Sequence, residues 1–340
     1  MKSSLLALTL SGSLIAMVTT AAHADDIVVG EFGGSFAKAA EACHAQPFTK
    51  ATGNTVTTQL GSSSQFASMI RATGGQSDFD AVYIDDSFAT QLAAEGLLDK
   101  LDISKLSNGA QVAKGAIGDG DYFVQYQWSA TLIAYNPKLV KEPPTSWEDL
   151  FRPEYAGKIA LPDISGTSGV HFLIAMNRLK GGDLTNLDKG FEAVKALKPS
   201  VVTFYTQPDQ IISMFERGEV AIAPFYPDRA TIAADSGAPI AIAYPKEGAI
   251  GIKVTMVIPK GAKHPEAALK YIDTVLSADA QKCFAEKMYA GPVNTAVKLN
   301  DKTASVVPPD MYGKLYFPDP AAIAKNVGTW RQRFQREVTR

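Results

Sequence analysis

The sequence predicts a two-lobed α/β fold, each lobe a mainly parallel β-sheet flanked by helices. Three observations predict it. Short apolar strand patterns alternate with helical patterns along the whole chain. The strand-to-helix junctions are rich in Gly, Ser and Asp, the residues that accept helix caps and left-handed turns. Two alternating strands, 124–135 and 252–258, read as crossings between the lobes, so the chain passes from one to the other more than once.

The composition, 46% hydrophobic and 20% charged, is that of a globular protein long enough for two domains. Met1-Lys2-Ser3-Ser4, an apolar run over 5–18 and Ala22-His23-Ala24 read as a secretory leader cleaved after Ala24. The run is too short to span a bilayer comfortably. The formal net charge of −2, one unit lower once Lys2 leaves, argues against a nucleic-acid surface.

The mature chain opens with a strand from Asp26, a Gly33-Gly34 turn and a helix over 35–52. A strand over 55–60 runs into Gly61-Ser62-Ser63-Ser64, and one over 79–84 into Asp85-Asp86-Ser87, each followed by a helix. After the 124–135 strand, Asn136-Pro137 stops the run, and Ser146 is placed to cap a short helix at Trp147. A strand over 158–161 leads into Asp163-Ile164-Ser165-Gly166-Thr167-Ser168-Gly169 and an apolar helix over 170–179. Unpaired N–H groups at that helix start, with the Thr167 and Ser168 hydroxyls, suit a polar ligand group, although the loop is equally a plain cap.

Further helices are expected over 187–197 and 208–217, with strands at 201–204, in the segment 218–229 and at 238–244. Amphipathic helices follow over 264–276 and 277–288, and a last helix carries Trp330 and Phe334. The expected division is a leader over 1–24, lobe 1 over 25–133 plus 254–300, and lobe 2 over 134–253 plus 301–340.

Several chemistries lose their motif. Gly30 to Gly34 does not form G-x-G-x-x-G, no phosphate-binding P-loop occurs, and Gly166-Thr167-Ser168-Gly169 is not G-x-S-x-G. An exported enzyme would need a nucleophile with a base, and His44, His171 and His264 adjoin no such serine or cysteine motif. A ferric-ion receptor, the other rival, would use tyrosines with carboxylates, and no Tyr-Tyr pair is present. No metal and no cofactor is expected. In an oxidising compartment the two cysteines, Cys43 and Cys283, are expected to form one long-range disulfide, with two buried thiols as the alternative.

Four segments carry a resemblance: Tyr126-Gln127-Trp128-Ser129-Ala130-Thr131; Thr145-Ser146-Trp147-Glu148-Asp149-Leu150 followed by Pro153-Glu154-Tyr155-Ala156-Gly157-Lys158; Gly218-Glu219-Val220; and Tyr244-Pro245-Lys246-Glu247-Gly248. They resemble the periplasmic solute-binding proteins of ABC importers, most closely the spermidine/putrescine-binding type. The resemblance implies a two-lobed periplasmic-binding-protein fold and no enzymatic activity. It implies periplasmic location, a monomer, a small-molecule ligand and an inner-membrane ABC permease as partner. In polyamine binders, carboxylates hold the ammonium groups and aromatic rings sandwich the methylene chain. Here Ile252-Lys253-Val254 stands where the family has an aromatic residue followed by an aspartate, and Tyr226 where it has a tryptophan.

The expected ligand-binding set follows. From lobe 1 come Phe32, Gly34, Ser35, Ser62, Ser63, Asp85, Asp86 and Trp128; from lobe 2 Asp163, Thr167, Ser168, Tyr205, Tyr226 and Asp228; from the returning strand Lys253 and Thr255. Alternation puts Lys253 and Thr255 on one face, opposite Ile252 and Val254. If that face is the cleft, Lys253 with Thr167 and Ser168 suits a carboxylate, phosphonate or phosphate, while Asp85 and Asp86 suit an amine. A polyamine, another amine-bearing or zwitterionic solute, and an anionic solute all stay open. Asp85 and Asp86 also suit a plain helix cap, Lys253 the surface, and Trp128 and Tyr226 the core.

Overall fold

The computed structural model describes residues 25–308 and 310–339; the predicted leader, 1–24, lies outside the described residues. Strand β1 (Ile27–Phe32) buries Ile27 and Val29 and turns at Gly34, whose φ of 70° suits glycine. The helical run over 35–52 is not uniform: α1 (Ser35–Ala40) and α2 (Gln46–Thr52) are separated by a π-helical turn, Glu41–Ala45. Pro47 is the physical reason, because it has no N–H to give to the carbonyl four residues back and the wider turn absorbs the mismatch. Strand β2 (Val56–Gly61) precedes α3 (Ser63–Ala72), where Ser62 Oγ accepts from the Gln65 N–H and the Gln65 side chain accepts from the Ser62 N–H.

Next come β3 (Ala81–Asp85), α4 (Asp86–Ala94), the short β4 (Leu98–Asp99) and the long β5 (Phe123–Tyr135). The expected helix at Trp147 is a 3-10 turn, Trp147–Phe151, and Ser146 caps it by accepting from the Glu148 N–H at 3.0 Å. Then follow β6 (Ile159–Pro162), α5 (Thr167–Leu179), α6 (Asp188–Leu197), β7 (Val201–Tyr205) and α7 (Pro208–Glu216). The segment 218–229 yields only β8 (Ile222–Phe225), because Pro227 starts α8 (Pro227–Asp235) at once. The chain continues through β9 (Ala241–Ala243), β10 (Ile250–Pro259), α9 (Pro265–Leu276), α10 (Ala278–Met288) and β11 (Gly291–Pro292). It ends with α11 (Asp301–Val306) and α12 (Pro320–Phe334).

Eight strands form the path β2-β1-β3-β10-β5-β8-β6-β7, with β9 and β11 pairing to β5 and β4 to β10 beside it. At one end β1 pairs in parallel with β2 and β3; at the other β6 pairs in parallel with β7 and β8. The antiparallel strands β10 and β5 join the two parallel groups, β10 pairing with β3 and β5, and β5 with β8. Within that junction Lys253 faces Trp128 and Val254 faces Gln127, but Thr255 faces Gln125. Tyr126 is therefore an extra residue, a β-bulge that changes which side chains look forward.

One apolar cluster packs β1, β3, α9 and α10 around Ile27, Tyr83 and Tyr271; another packs β6, α5, α6 and α12 around Leu161, Phe172, Phe191 and Phe334. A disulfide joins Cys43 in the π-helical turn to Cys283 in α10 across a sequence separation of 240. His44 beside it stacks on Phe284 at 4.7 Å, its Nδ1 lies 2.8 Å from the Tyr83 hydroxyl, and burial pushes its pKa down to about 3. It is a neutral core residue.

Candidate functional site

A cavity of about 180 Å³ lies between the two parallel groups. All six parallel strands deliver their carboxyl ends to it, the place where open α/β sheets collect ligands. On one side stand Phe32 at the end of β1, Ser62 and Ser63 after β2, and Asp85 at the end of β3. Opposite are Asp163, Thr167 and Ser168 after β6, Tyr205 ending β7, and Tyr226, Asp228 and Arg229 after β8. Gln127 and Ser129 of β5 and Val254 of β10 also line it, with Phe36 of α1 and Phe88 of α4 as further ring walls.

Local sequence explains these positions. The loop after β6 turns back tightly, with Asp163 Oδ1 accepting from the Ser165 N–H at 2.8 Å and the Asp163 carbonyl from the Gly166 N–H. Gly169 permits that turn, since a Cβ there would lie 2.0 Å from the Asp163 carbonyl oxygen. Ser168 stands beside Tyr205 and Tyr226 in the cavity, and the Tyr205 hydroxyl donates to the Pro224 carbonyl at 2.6 Å. Burial pushes Tyr226 up to about 12 and raises Tyr205 well above the ordinary phenol value, so both remain phenols.

Three carboxylates share the cavity. Asp85 and Asp228 are each 9% exposed, and Asp163 is half-buried. Desolvation raises Asp85 to about 6 against the hydrogen bonds from Thr167 and Ser63, and raises Asp228 against the pull of Arg229. Ser129 Oγ donates to Asp228 Oδ1 at 3.3 Å. Two contacts span the cleft: Thr167 Oγ1 donates to Asp85 Oδ2, and the Arg229 guanidinium donates to Ser35 Oγ at 2.8 Å and to the Gly33 carbonyl at 3.2 Å. Asp85 occupies a helix-cap position, yet its side chain makes no cap bond and reaches across the cleft instead.

Of the expected set, Phe32, Ser62, Ser63, Asp85, Asp163, Thr167, Ser168, Tyr205, Tyr226 and Asp228 line this cavity. Ser35 stands at its edge as the partner of Arg229, and a Cβ on Gly34 would lie 3.1 Å from that guanidinium. Four residues are elsewhere. Val254 takes the forward face, so Lys253 points to the rear, with its Nζ 5.5 Å from the Phe317 ring centre. Its register partner Trp128 shares that rear face, packing against Gly291 and, at 5.8 Å, Tyr312. Thr255 is fully buried and donates to the Ile84 carbonyl at 2.7 Å. Asp86 sits in the first turn of α4 outside the cavity, raised to about 7 by desolvation and by Asp85, with Lys253 opposing.

The cation in the cleft is Arg229, which the sequence reading passed over although it directly follows Asp228. Gln127 and Ser129 were also missed; they flank Trp128 in the segment that carries the resemblance, and their register with Val254 and Ile252 puts them, not Trp128, on the forward face. The arrangement sets charge, hydrogen-bonding groups and aromatic walls around one cavity, the makings of a solute-binding site.

Comparison with known proteins agrees. Residues 44–307 match the family described as bacterial extracellular solute-binding proteins. A spermidine/putrescine-binding periplasmic protein of Escherichia coli is 30% identical over 315 residues, which cover 86% of this chain and 88% of that protein. A gamma-aminobutyric acid-binding protein of Pseudomonas aeruginosa is 24% identical over 285 residues, covering 80% and 78%. The crystal structure of an ABC transporter from Clostridium perfringens matches the fold with a TM-score of 0.76 at 26% identity, covering 92% of this chain and 99% of that one. The chain belongs to the bacterial extracellular solute-binding proteins, the periplasmic solute-capturing components of ABC transporters, and is not an enzyme.

Proposed function

We propose that this receptor captures a small amine-bearing organic solute in the cleft between the two sheet ends, closes about β5 and β10, and delivers the solute to an inner-membrane permease. In this reading lobe 1 comprises 25–133 plus 254–300 and lobe 2 comprises 134–253 plus 301–340. The convergence of Asp85, Asp163 and Asp228 on one cavity with aromatic walls carries it. Two of these carboxylates are nearly buried and held against their desolvation cost, so a solute cation is the complement that relieves it. Phe32, Phe88, Tyr205 and Tyr226 offer ring faces to methylene groups and to an ammonium.

Arg229 favours a second, narrower reading within the same class, a zwitterion whose carboxylate meets the guanidinium. The gamma-aminobutyric acid bound by the Pseudomonas relative has that chemistry. A thermal-shift screen of the mature protein with putrescine, spermidine, gamma-aminobutyric acid, inorganic phosphate and simple carboxylates tests the proposal. Amine-bearing compounds are expected to raise the melting temperature; a response to anions alone would refute it.

Two further results are expected. Lys253→Ala should leave affinity for the amine within about twofold, because the side chain lies behind the cleft; calorimetric titration showing a large loss would return Lys253 to the site. Affinity for an ammonium should fall as pH drops below about 6, where Asp85 takes up the proton that burial favours. The slope approaches about tenfold per pH unit if Asp85 alone must ionise. Titrations at pH 5 and pH 7.5 that gave equal affinities would contradict this assignment.

A further inference from the structure

Helix α12, at the far end of the sequence from β1, packs beside α4 with Ile323, Val327 and Arg331, and Arg331 also reaches the loop after β6. Arg331 Nε donates to the Ile164 carbonyl at 3.3 Å and Nη2 to the Ser165 carbonyl at 3.1 Å. Those carbonyls belong to the loop after β6 that presents Asp163 and Thr167 to the cavity. The same guanidinium lies 5.7 Å from the ring centre of Phe88, on α4 at the opposite sheet end, and Phe88 is itself a wall of the cavity. Arg331 and Phe88 also meet in a small wedge between α4, α5 and α12, whose lining includes Thr167, the residue that bonds Asp85 across the cleft.

A half-buried guanidinium ordinarily takes a carboxylate partner. Arg331 forms no ion pair among the described residues and directs its donors to two loop carbonyls and its face to a ring. An arrangement of that kind joins one side of the cleft to the other while leaving the cavity's own charges free.

We infer that Arg331 is a positioning residue that latches the closed cleft, fixing the loop after β6 and docking it on Phe88, and thereby setting how long a solute is held. This rests on the closure reading given above. A contact made only in the closed state stabilises that state and slows release without touching the solute.

The test uses the mature chain with fluorophores on Lys50→Cys in α2 and Glu192→Cys in α6, both exposed and on opposite sides of the cleft. Energy transfer reports opening with and without solute, and stopped-flow measurement gives dissociation rates for putrescine and gamma-aminobutyric acid. Arg331→Ala is expected to lengthen the inter-label distance even without solute and to speed dissociation roughly tenfold, the loss of one partly desolvated cation–ring contact and its hydrogen bonds. Phe88→Ala should lengthen the distance similarly, the double variant should open no further, and Arg331→Lys should recover part of the effect. An Arg331→Ala protein with a lower melting temperature but an unchanged distance would mean that the residue only supports the fold, and would overturn the inference. If neither compound binds the wild-type protein the solute reading fails, while the distance without solute still decides the latch.

Discussion

Asp228→Asn is expected to weaken binding of an amine-bearing solute by about 2–5 kcal/mol, some 30-fold or more, the usual cost of removing one partner of a buried charge pair. Asp228 is 9% exposed, lies in the first turn of α8, and has Ser129 as a hydrogen-bond partner and the neighbouring Arg229 as a charge partner on the cleft wall. Its raised pKa means that the folded chain carries the ion at a cost when no solute is bound. Asparagine keeps the size and the hydrogen bond from Ser129 and removes the charge. The unliganded variant should therefore be as stable as the wild type or more so, while its affinity collapses. Calorimetric titration and a melting curve check both halves; affinity within threefold of wild type would remove Asp228 from the ammonium site.

Removing the disulfide should act on stability instead. Cys43→Ala/Cys283→Ala is expected to lower unfolding free energy by about 2–5 kcal/mol, because the crosslink closes a very long loop in the unfolded chain. The bond ties the helical run beside β1 to α10, segments separated by 240 residues that meet in one apolar cluster. Neither cysteine lines the cavity, so solute affinity should change little. Denaturant titration of the oxidised, reduced and double-alanine proteins measures this, and coincident midpoints would show that the bond adds no stability.

Much of this architecture was readable in the sequence because local signals agreed. Alternating strands and helices, Ser146 as a cap, and polar loops after each parallel strand all point to one cleft at the strand ends. Residues on those loops, from Phe32 to Asp228, were found because a loop after a parallel strand faces the cleft wherever its exact turn lies. Residues on the crossing strands were not. Alternation correctly set Lys253 and Thr255 against Val254, but which face is the cleft depends on long-range pairing with β5 and β3. The bulge at Tyr126 has no local signature in the sequence, and it turns Gln125 away from the face that Gln127 and Ser129 share with Val254. Arg229 was overlooked beside Asp228 because successive residues at a helix start normally diverge; here both reach the same cavity, one from its wall and one spanning to Ser35. The helix expected over 35–52 passed over Pro47, and the structure breaks that run with a π-helical turn just before it.

The central claim is that carboxylates in the cleft hold a solute ammonium. A crystal structure of the mature receptor with the amine that gives the largest thermal shift tests it most directly. The predicted result is an ammonium nitrogen within hydrogen-bonding distance of Asp228 or Asp85, its carbon chain between Tyr226 and the phenylalanine rings, and any solute carboxylate on Arg229. A solute bound behind β5 against Trp128 and Lys253, or held in the cleft by Arg229 alone with no contact to an aspartate, would contradict it.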